Sequence, residues 1–207
     1  MKSRYQREEG GRRFACVILA AGEAVRMGAA KPALPFGNTT LVGSVVGTAH
    51  EAGLDPVVVV TGFHHEEVAA AIGGSARIER NPDPGRGNMS SLLVGLDAVV
   101  GVDAVVVLLS DMPLVEASTI EALCRGLIES QAGCGWTRYT NGRGHPIAFT
   151  PEGVESIGGL SGTKALWPYF DSLGDDERYE LVVDDVRPPD INTPDEYDNL
   201  TEHRRKA

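Results

Sequence analysis

Cysteine is scarce in this sequence: Cys16, Cys124 and Cys134 are the only three among 207 residues. An odd number at wide spacing gives no zinc or redox motif and no disulfide framework. Cys16 sits in an apolar run and reads as a small core residue. Long hydrophobic stretches are also missing. None reaches the roughly 18 residues of a membrane span. Residues 1–13 are polar and charged, end in Arg12 and Arg13, and lack the apolar centre of a signal peptide. They predict a disordered tail on a cytoplasmic protein. Positive charge is short: 19 Lys and Arg face 29 Asp and Glu, a formal net charge of −10. That excludes a general nucleic-acid coat, which needs a basic face. It leaves room for a site that takes a small polyanion, because screening over about 8 Å lets a local group of cations override distant carboxylates. The chain has no repeats, no low-complexity segment and no linker long enough to separate domains. Two common phosphate-binding patterns, G-x-x-x-x-G-K-[ST] and G-x-G-x-x-G, are absent as well.

What is present begins with three short apolar runs rich in β-branched residues: "FACVILA" (14–20), "PVVVV" (56–60) and "AVVVLL" (104–109). Continuous runs of this kind mark strands buried on both faces, as in a parallel sheet. Helical spacing lies between and after them, over 39–53, 65–74, 88–100 and 117–130. Gly53 and Gly73 serve as stops, and Ser118 with Glu121 forms a capping pair. Beyond Gly135, "WTRYTNGRGHPIAFT" predicts a hairpin turning at Asn141-Gly142. A helix near "TKALWPYFDSL", a strand "YELVVDD" and a last helix with Pro194 in its first turn follow. Alternating strands and helices predict an α/β fold, a Rossmann-like, doubly wound, mainly parallel sheet with a small C-terminal lobe.

The first strand leads into "AAGEAVRMGAAKPALPF" (20–36), a connection of about fifteen residues where such loops usually run about 2–6. Ligands of open α/β sheets bind where strands end. Gly22 and the small Ala20, Ala21 and Ala24 let backbone N–H groups approach a phosphate. Arg26 offers a planar fork and Lys31 a mobile point charge. Pro32 predicts that Lys31 sits on an extended segment. An ordinary connection with solvated charges is the bland alternative. Asp111 ends the third run, and two readings stand for it: a Mg²⁺ ligand beside a phosphate loop, or a turn residue before Pro113. The "HHEE" at 64–67 reads as a solvated helix start, since adjacent residues do not share a helix face.

The stretch "LAAGEAVRMGAAKPALPF" resembles the L-A-A-G-x-S-x-R-M-G-x-x-K signature of the MobA-like NTP transferases, and the chain from about 15 to 200 resembles their molybdenum cofactor cytidylyltransferase (MocA-like) branch. The resemblance implies that Leu19, Ala20, Ala21, Gly22, Arg26 and Lys31 bind the nucleoside triphosphate, Ala24 standing where the family has serine. "SDMP" is similar to G-D-M-P, which makes Asp111 the metal residue with Mg²⁺ as cofactor. "NPDPGRGNMSSLLVGL" (81–96) is similar to the segment facing base and ribose, which implicates Asn81, Ser90 and Ser91. "RGHPIAF" and "DINTPDEY" resemble acceptor-side segments, implicating His145, Asp190 and Asn192. His145 reads equally well as a structural histidine of the hairpin, and Thr193 as a helix cap. In "LSGTKAL", Thr163 replaces the family's aspartate. The implied layout is one domain, 14–207, with a nucleotide-binding region about 14–130 and an acceptor region about 131–200. The implied activity is Mg²⁺-dependent transfer of CMP from CTP to molybdopterin, with a molybdoenzyme as a possible partner and neither nucleic acid nor membrane involved. The second alanine of "LAAG" is the cytidylyl branch's form. Transfer to a sugar or polyol phosphate, and a noncatalytic chaperone holding nucleotide or pterin, are the rival readings.

Overall fold

The computed structural model describes residues 11–162 and 165–206, with side chains as far as residue 202. Most of the expected tail and Thr163 lie outside the described residues. Arg13, expected at the end of that tail, is tied down: its N–H donates to Asp103 Oδ2 at 2.6 Å.

The elements in chain order are β1 (Phe14–Ala20), β2 (Pro35–Phe36), β3 (Thr39–Thr40), α1 (Leu41–Glu51), β4 (Val57–Thr61), α2 (His65–Ile72), β5 (Arg77–Arg80) and α3 (Asn88–Asp97). There follow β6 (Ala104–Leu109), α4 (Ala117–Ser130), β7 (Cys134–Tyr139), β8 (Gly142–Phe149), α5 (Pro151–Ile157), α6 (Leu166–Ser172), β9 (Arg178–Val182) and α7 (Pro194–Lys206). Seven strands form one sheet in the order β5-β4-β1-β6-β8-β7-β9, and β2 pairs with β3 alone. Every neighbouring pair in the large sheet is parallel except those involving β8. The mainly parallel, doubly wound α/β sheet is therefore the architecture.

The three apolar runs occupy the centre because only central strands are covered on both sides. Ile18, Val59 and Val106 face one layer, packed with Val45, Val68 and Ile120 from α1, α2 and α4. Val17, Val60 and Val107 face the other, with Leu92, Leu96, Ile157 and Phe170 from α3, α5 and α6. Gly95 brings α3 onto the sheet, since a Cβ there would lie 2.4 Å from a Val17 methyl and 2.8 Å from a Val60 methyl. Leu19 pairs with Val60 on one side and Leu109 on the other, so β1, β4 and β6 end together. That shared edge positions the site.

Three expectations change. Lys31 opens a single 3₁₀ turn (Lys31–Ala33) instead of an extended segment. Pro32 fits there because proline in the first positions of a short turn costs no hydrogen bond. Ser118 does not cap α4: Glu116 holds the cap position, and the Ser118 hydroxyl donates to its carboxylate at 3.2 Å. His64 and His65 are half-buried and bonded instead of solvated. The His64 ring donates to the Glu23 carbonyl at 2.9 Å, and His65 shares a 2.8 Å bond with the Thr61 hydroxyl.

Candidate active site

A cleft of about 380 Å³ opens at the common end of β1, β4 and β6. Its floor is Leu19 to Gly22 and Leu109 to Asp111. The first loop supplies Arg26, Lys31 and Pro32, and Asn192 closes the far side. The loop folds as two 3₁₀ turns, Val25–Met27 and Lys31–Ala33. The first is entered through Ala24 in the left-handed region, φ 52°, and left through Gly28, φ 64°. A non-glycine residue costs about 1 kcal/mol in that conformation, so this loop is held by its surroundings. The Met27 N–H donates to the Ala24 carbonyl at 2.8 Å, and His64 grips Glu23.

Lys31 and Asp111 form the centre. The ammonium donates to Asp111 Oδ2 and to the Ile191 carbonyl, each at 2.6 Å, and to Asn192 Oδ1 at 3.4 Å. The two side chains are only 14% and 17% exposed. The other carboxylate oxygen, Asp111 Oδ1, is buried without a hydrogen-bond partner. A buried, unpaired carboxylate oxygen is costly, and a divalent cation bound there would satisfy it. Among the described residues no three His, Cys, Asp or Glu side chains gather as a metal cage. One carboxylate, completed by substrate phosphates and water, is how Mg²⁺ is usually held. The donor set fits such an ion.

Arg26 is exposed at the cleft and makes no ion pair or hydrogen bond among the described residues, so its fork is free to meet a ligand. Ser110 stands where a glycine was expected. It is buried, its backbone is not in the positive-φ region, and its N–H donates to Leu19 O at 3.1 Å. Asp111 is therefore delivered without strain.

Asn81, Ser90 and Ser91 divide by role. Asn81 is 3% exposed and fully engaged: its amide donates to both serine hydroxyls at 2.9 Å and its carbonyl accepts from the Asp83 N–H at 3.0 Å. It fixes the segment that presents Ser91, Pro84 and Asn88 to the cleft. Pro84 and Asn88 were not anticipated from the sequence. Nor was Gly62, just past β4, where a Cβ would strike the Ala21 carbonyl at 2.5 Å and both the Ala21 and Pro84 Cβ atoms at 2.8 Å. The available signal was a lone glycine closing an apolar strand. Ala21 is itself 6% exposed, with its methyl against Gly62.

On the acceptor side only Asn192 lines the cleft. Asp190 sits behind it, accepting from the Asn192 amide at 2.6 Å and from Arg187 at 3.2 Å. Burial opposes its ionisation, but the Asn192 amide, with Arg187 and Lys31, outweighs that and holds Asp190 below the usual carboxylate range. His145 donates from Nδ1 to the Val107 carbonyl at 3.2 Å, and burial pushes its pKa down from 6.5. It is neutral near pH 7. Thr193 does cap α7, its hydroxyl accepting from the Glu196 N–H at 3.3 Å while Glu196 accepts from the Thr193 N–H at 3.0 Å.

A second cavity of about 440 Å³ lies at the β7–β9 edge, but its three arginines are already neutralised. Arg138 pairs with Glu180, Arg143 with Asp171 and Arg178 with Asp175. The cleft at the strand ends, with a free arginine and an unsatisfied carboxylate oxygen, is the candidate site.

Among solved structures, the chain is similar to the Rv0371c homolog from Mycobacterium sp. strain JC1. Identity is 31%, with 94% of this chain and 98% of that one covered, and the TM-score is 0.84. It is similar to Rv0371c from Mycobacterium tuberculosis at 29% identity, covering 92% and 98%, with a TM-score of 0.80; that protein was also solved in complex with manganese. CMP:2-keto-3-deoxy-manno-octonic acid synthetase complexed with CTP shares the fold at 14% identity, covering 94% and 99%, with a TM-score of 0.73. The family model for the MobA-like NTP transferase domain matches residues 16–177. That span holds the first loop, Asp111 and, but for the first two residues of β1, the sheet's central strands, and the chain belongs to the MobA-like NTP transferase family.

Proposed function

We propose that this protein is a Mg²⁺-dependent cytidylyltransferase that moves CMP from CTP to molybdopterin or a similar small phosphate-bearing acceptor. The observation that carries the reading is the Lys31–Asp111 pair beside the free Arg26, with Asp111 Oδ1 left unsatisfied. Arg26 and Lys31 take the triphosphate oxygens, and the N–H groups of the Ala20 to Gly22 turn approach them closely. Asp111 Oδ1, with Asn192 nearby, would hold the Mg²⁺. When bound, the ion neutralises charge that builds on the departing pyrophosphate. An acceptor phosphate oxygen attacks the α-phosphorus, the bond from that phosphorus to the bridging oxygen breaks, and the electron pair leaves with pyrophosphate. No side-chain nucleophile takes part, so catalysis is positioning and charge stabilisation. Ser91 and the backbone of Leu19 to Ala21 face the base.

Cytosine as the base rests on the "LAAG" form of the loop. Ala21 is wedged against Gly62, so this wall does not yield easily to a purine. Pyrophosphate release from each of the four NTPs, with and without molybdopterin, tests the reading. CTP is expected to lead GTP in kcat/KM by about tenfold, or roughly 1.4 kcal/mol. A preference for GTP would overturn the cytidylyl assignment, and release that ignores molybdopterin would overturn the acceptor.

A further inference from the structure

Arg187 belongs to none of the sequence motifs, yet the fold leads it to the acceptor side of the site. Its backbone N–H donates to Asn141 Oδ1 at 2.9 Å, fastening it to the tip of the β7–β8 hairpin. Its stem then lies across Gly144. A Cβ at that glycine would meet Arg187 Cδ at 2.6 Å and Cγ at 3.0 Å, so the glycine before His145 clears the path for this side chain. The guanidinium reaches Asp190 Oδ1 at 3.2 Å. Asp190 takes the Asn192 amide on its other oxygen, Asn192 Oδ1 faces Lys31, and Lys31 is bonded to Asp111. Arg187 is thus the far end of a chain of polar contacts that starts at the reaction centre. Pro188 and Pro189 join it to Asp190 by a stiff connection.

We propose that Arg187 grips the anionic group of the acceptor, a phosphate or a carboxylate; this rests on the nucleotidyl-transfer reading above. The contact with Asp190 engages one of five guanidinium N–H groups, and the two side chains are 38% and 36% exposed. A single-point, half-exposed pair is weak and readily remodelled. A guanidinium meeting phosphate or carboxylate oxygens in parallel makes a shorter, two-point contact. The reaction also demands such a cation. It brings an anionic nucleophile up to a triphosphate, and Arg26 and Lys31 are committed to the triphosphate. A positive group on the opposite side offsets the repulsion and orients the attacking oxygen. The inference gives the acceptor's anionic group a named partner on this chain, and an acceptor lacking such a group is excluded from efficient use.

Arg187→Met keeps the stem over Gly144 and removes the charge, and Arg187→Lys restores a charge without the fork. Protein loaded with Mg²⁺ and an unreactive CTP analogue, methylene-bridged between its α and β phosphorus atoms, is titrated calorimetrically with inorganic phosphate and, separately, with acetate. The anion that wild type binds more tightly identifies the group. Arg187→Met is expected to weaken that binding by about tenfold, to raise the KM for molybdopterin, and to leave the analogue's affinity and the melting midpoint unchanged. Arg187→Lys is expected to recover some of the loss. Equal anion binding in wild type and Arg187→Met overturns the inference while leaving nucleotide binding intact. If wild type fails to bind the CTP analogue, the cytidylyl reading falls instead. The anion titrations are then read in nucleotide-free protein, where equal binding by the two proteins again overturns the role of Arg187.

Discussion

On the proposed reading Lys31 is both the cation for a triphosphate and the partner of the metal residue, and it cannot hold both positions fully at once. In this structure its ammonium is taken by Asp111, the Ile191 carbonyl and Asn192. It therefore also pins the chain's last connection to the first loop, a structural contribution that a lysine in an extended loop would not make. Asp111→Asn keeps the shape and hydrogen-bonding reach of the side chain but removes the charge that would hold Mg²⁺. We expect activity to fall by at least about tenfold and the Mg²⁺ titration to move to higher concentration. An unchanged titration assigns Asp111 to the turn alone. His145 makes a separate, pH-dependent claim. Burial lowers its pKa below 6.5, the Val107 carbonyl bond and the charges of Asp111 and Asp190 only partly opposing that. Below 6.5 the unfolded chain binds the proton more readily than the folded one, so stability is lost as pH falls through this region. His145→Asn keeps a donor for the Val107 carbonyl and removes the titration. Its unfolding midpoint should fall less than that of wild type between pH 7 and pH 5, and parallel curves would contradict the account.

At the scale of elements, the site depends on how closely the end of β4 approaches the first loop. Gly62→Ala puts a methyl against a backbone carbonyl and two Cβ atoms, none of which is a flexible side-chain tip. Overpacking of this kind costs about 1–3 kcal/mol. Here it also spreads Ala21 from Pro84, both of which line the cleft. Thermal unfolding and CTP affinity should both decline in that variant, and loss of neither would show that the contact yields freely. The central strands were legible because a strand buried on both faces is apolar throughout. β5, "RIER", was not: as an edge strand it keeps one apolar residue among charges. The seven-residue α5 was missed for a different reason, being too short for a period to emerge. The first loop's length, glycine and cations were legible. Its two 3₁₀ turns were not, because Ala24 adopts a backbone that its side chain does not favour and only tertiary contacts hold it. Arg187 and Gly62 act through neighbours distant in the chain, which no local pattern records.

At the scale of the whole molecule, a net charge of −10 is compatible with the proposed polyanion site because two cations, Arg26 and Lys31, stand together at the cleft. Among the described residues no helix is long and apolar enough to cross a membrane. The three cysteines are free and buried, and burial pushes the thiols of Cys124 and Cys134 up to about 12, so none is poised as a nucleophile. On the proposed reading, what remains for catalysis is a charged cleft that orients two anions around one phosphorus. The direct measurement follows that phosphorus. CTP labelled at the α position is supplied with Mg²⁺ and molybdopterin, and label in the acceptor is compared with pyrophosphate released. The account predicts label entering the acceptor in equal amount to pyrophosphate, with both falling together in Asp111→Asn. Free labelled CMP, or release of inorganic phosphate with the label retained in CDP, would contradict it.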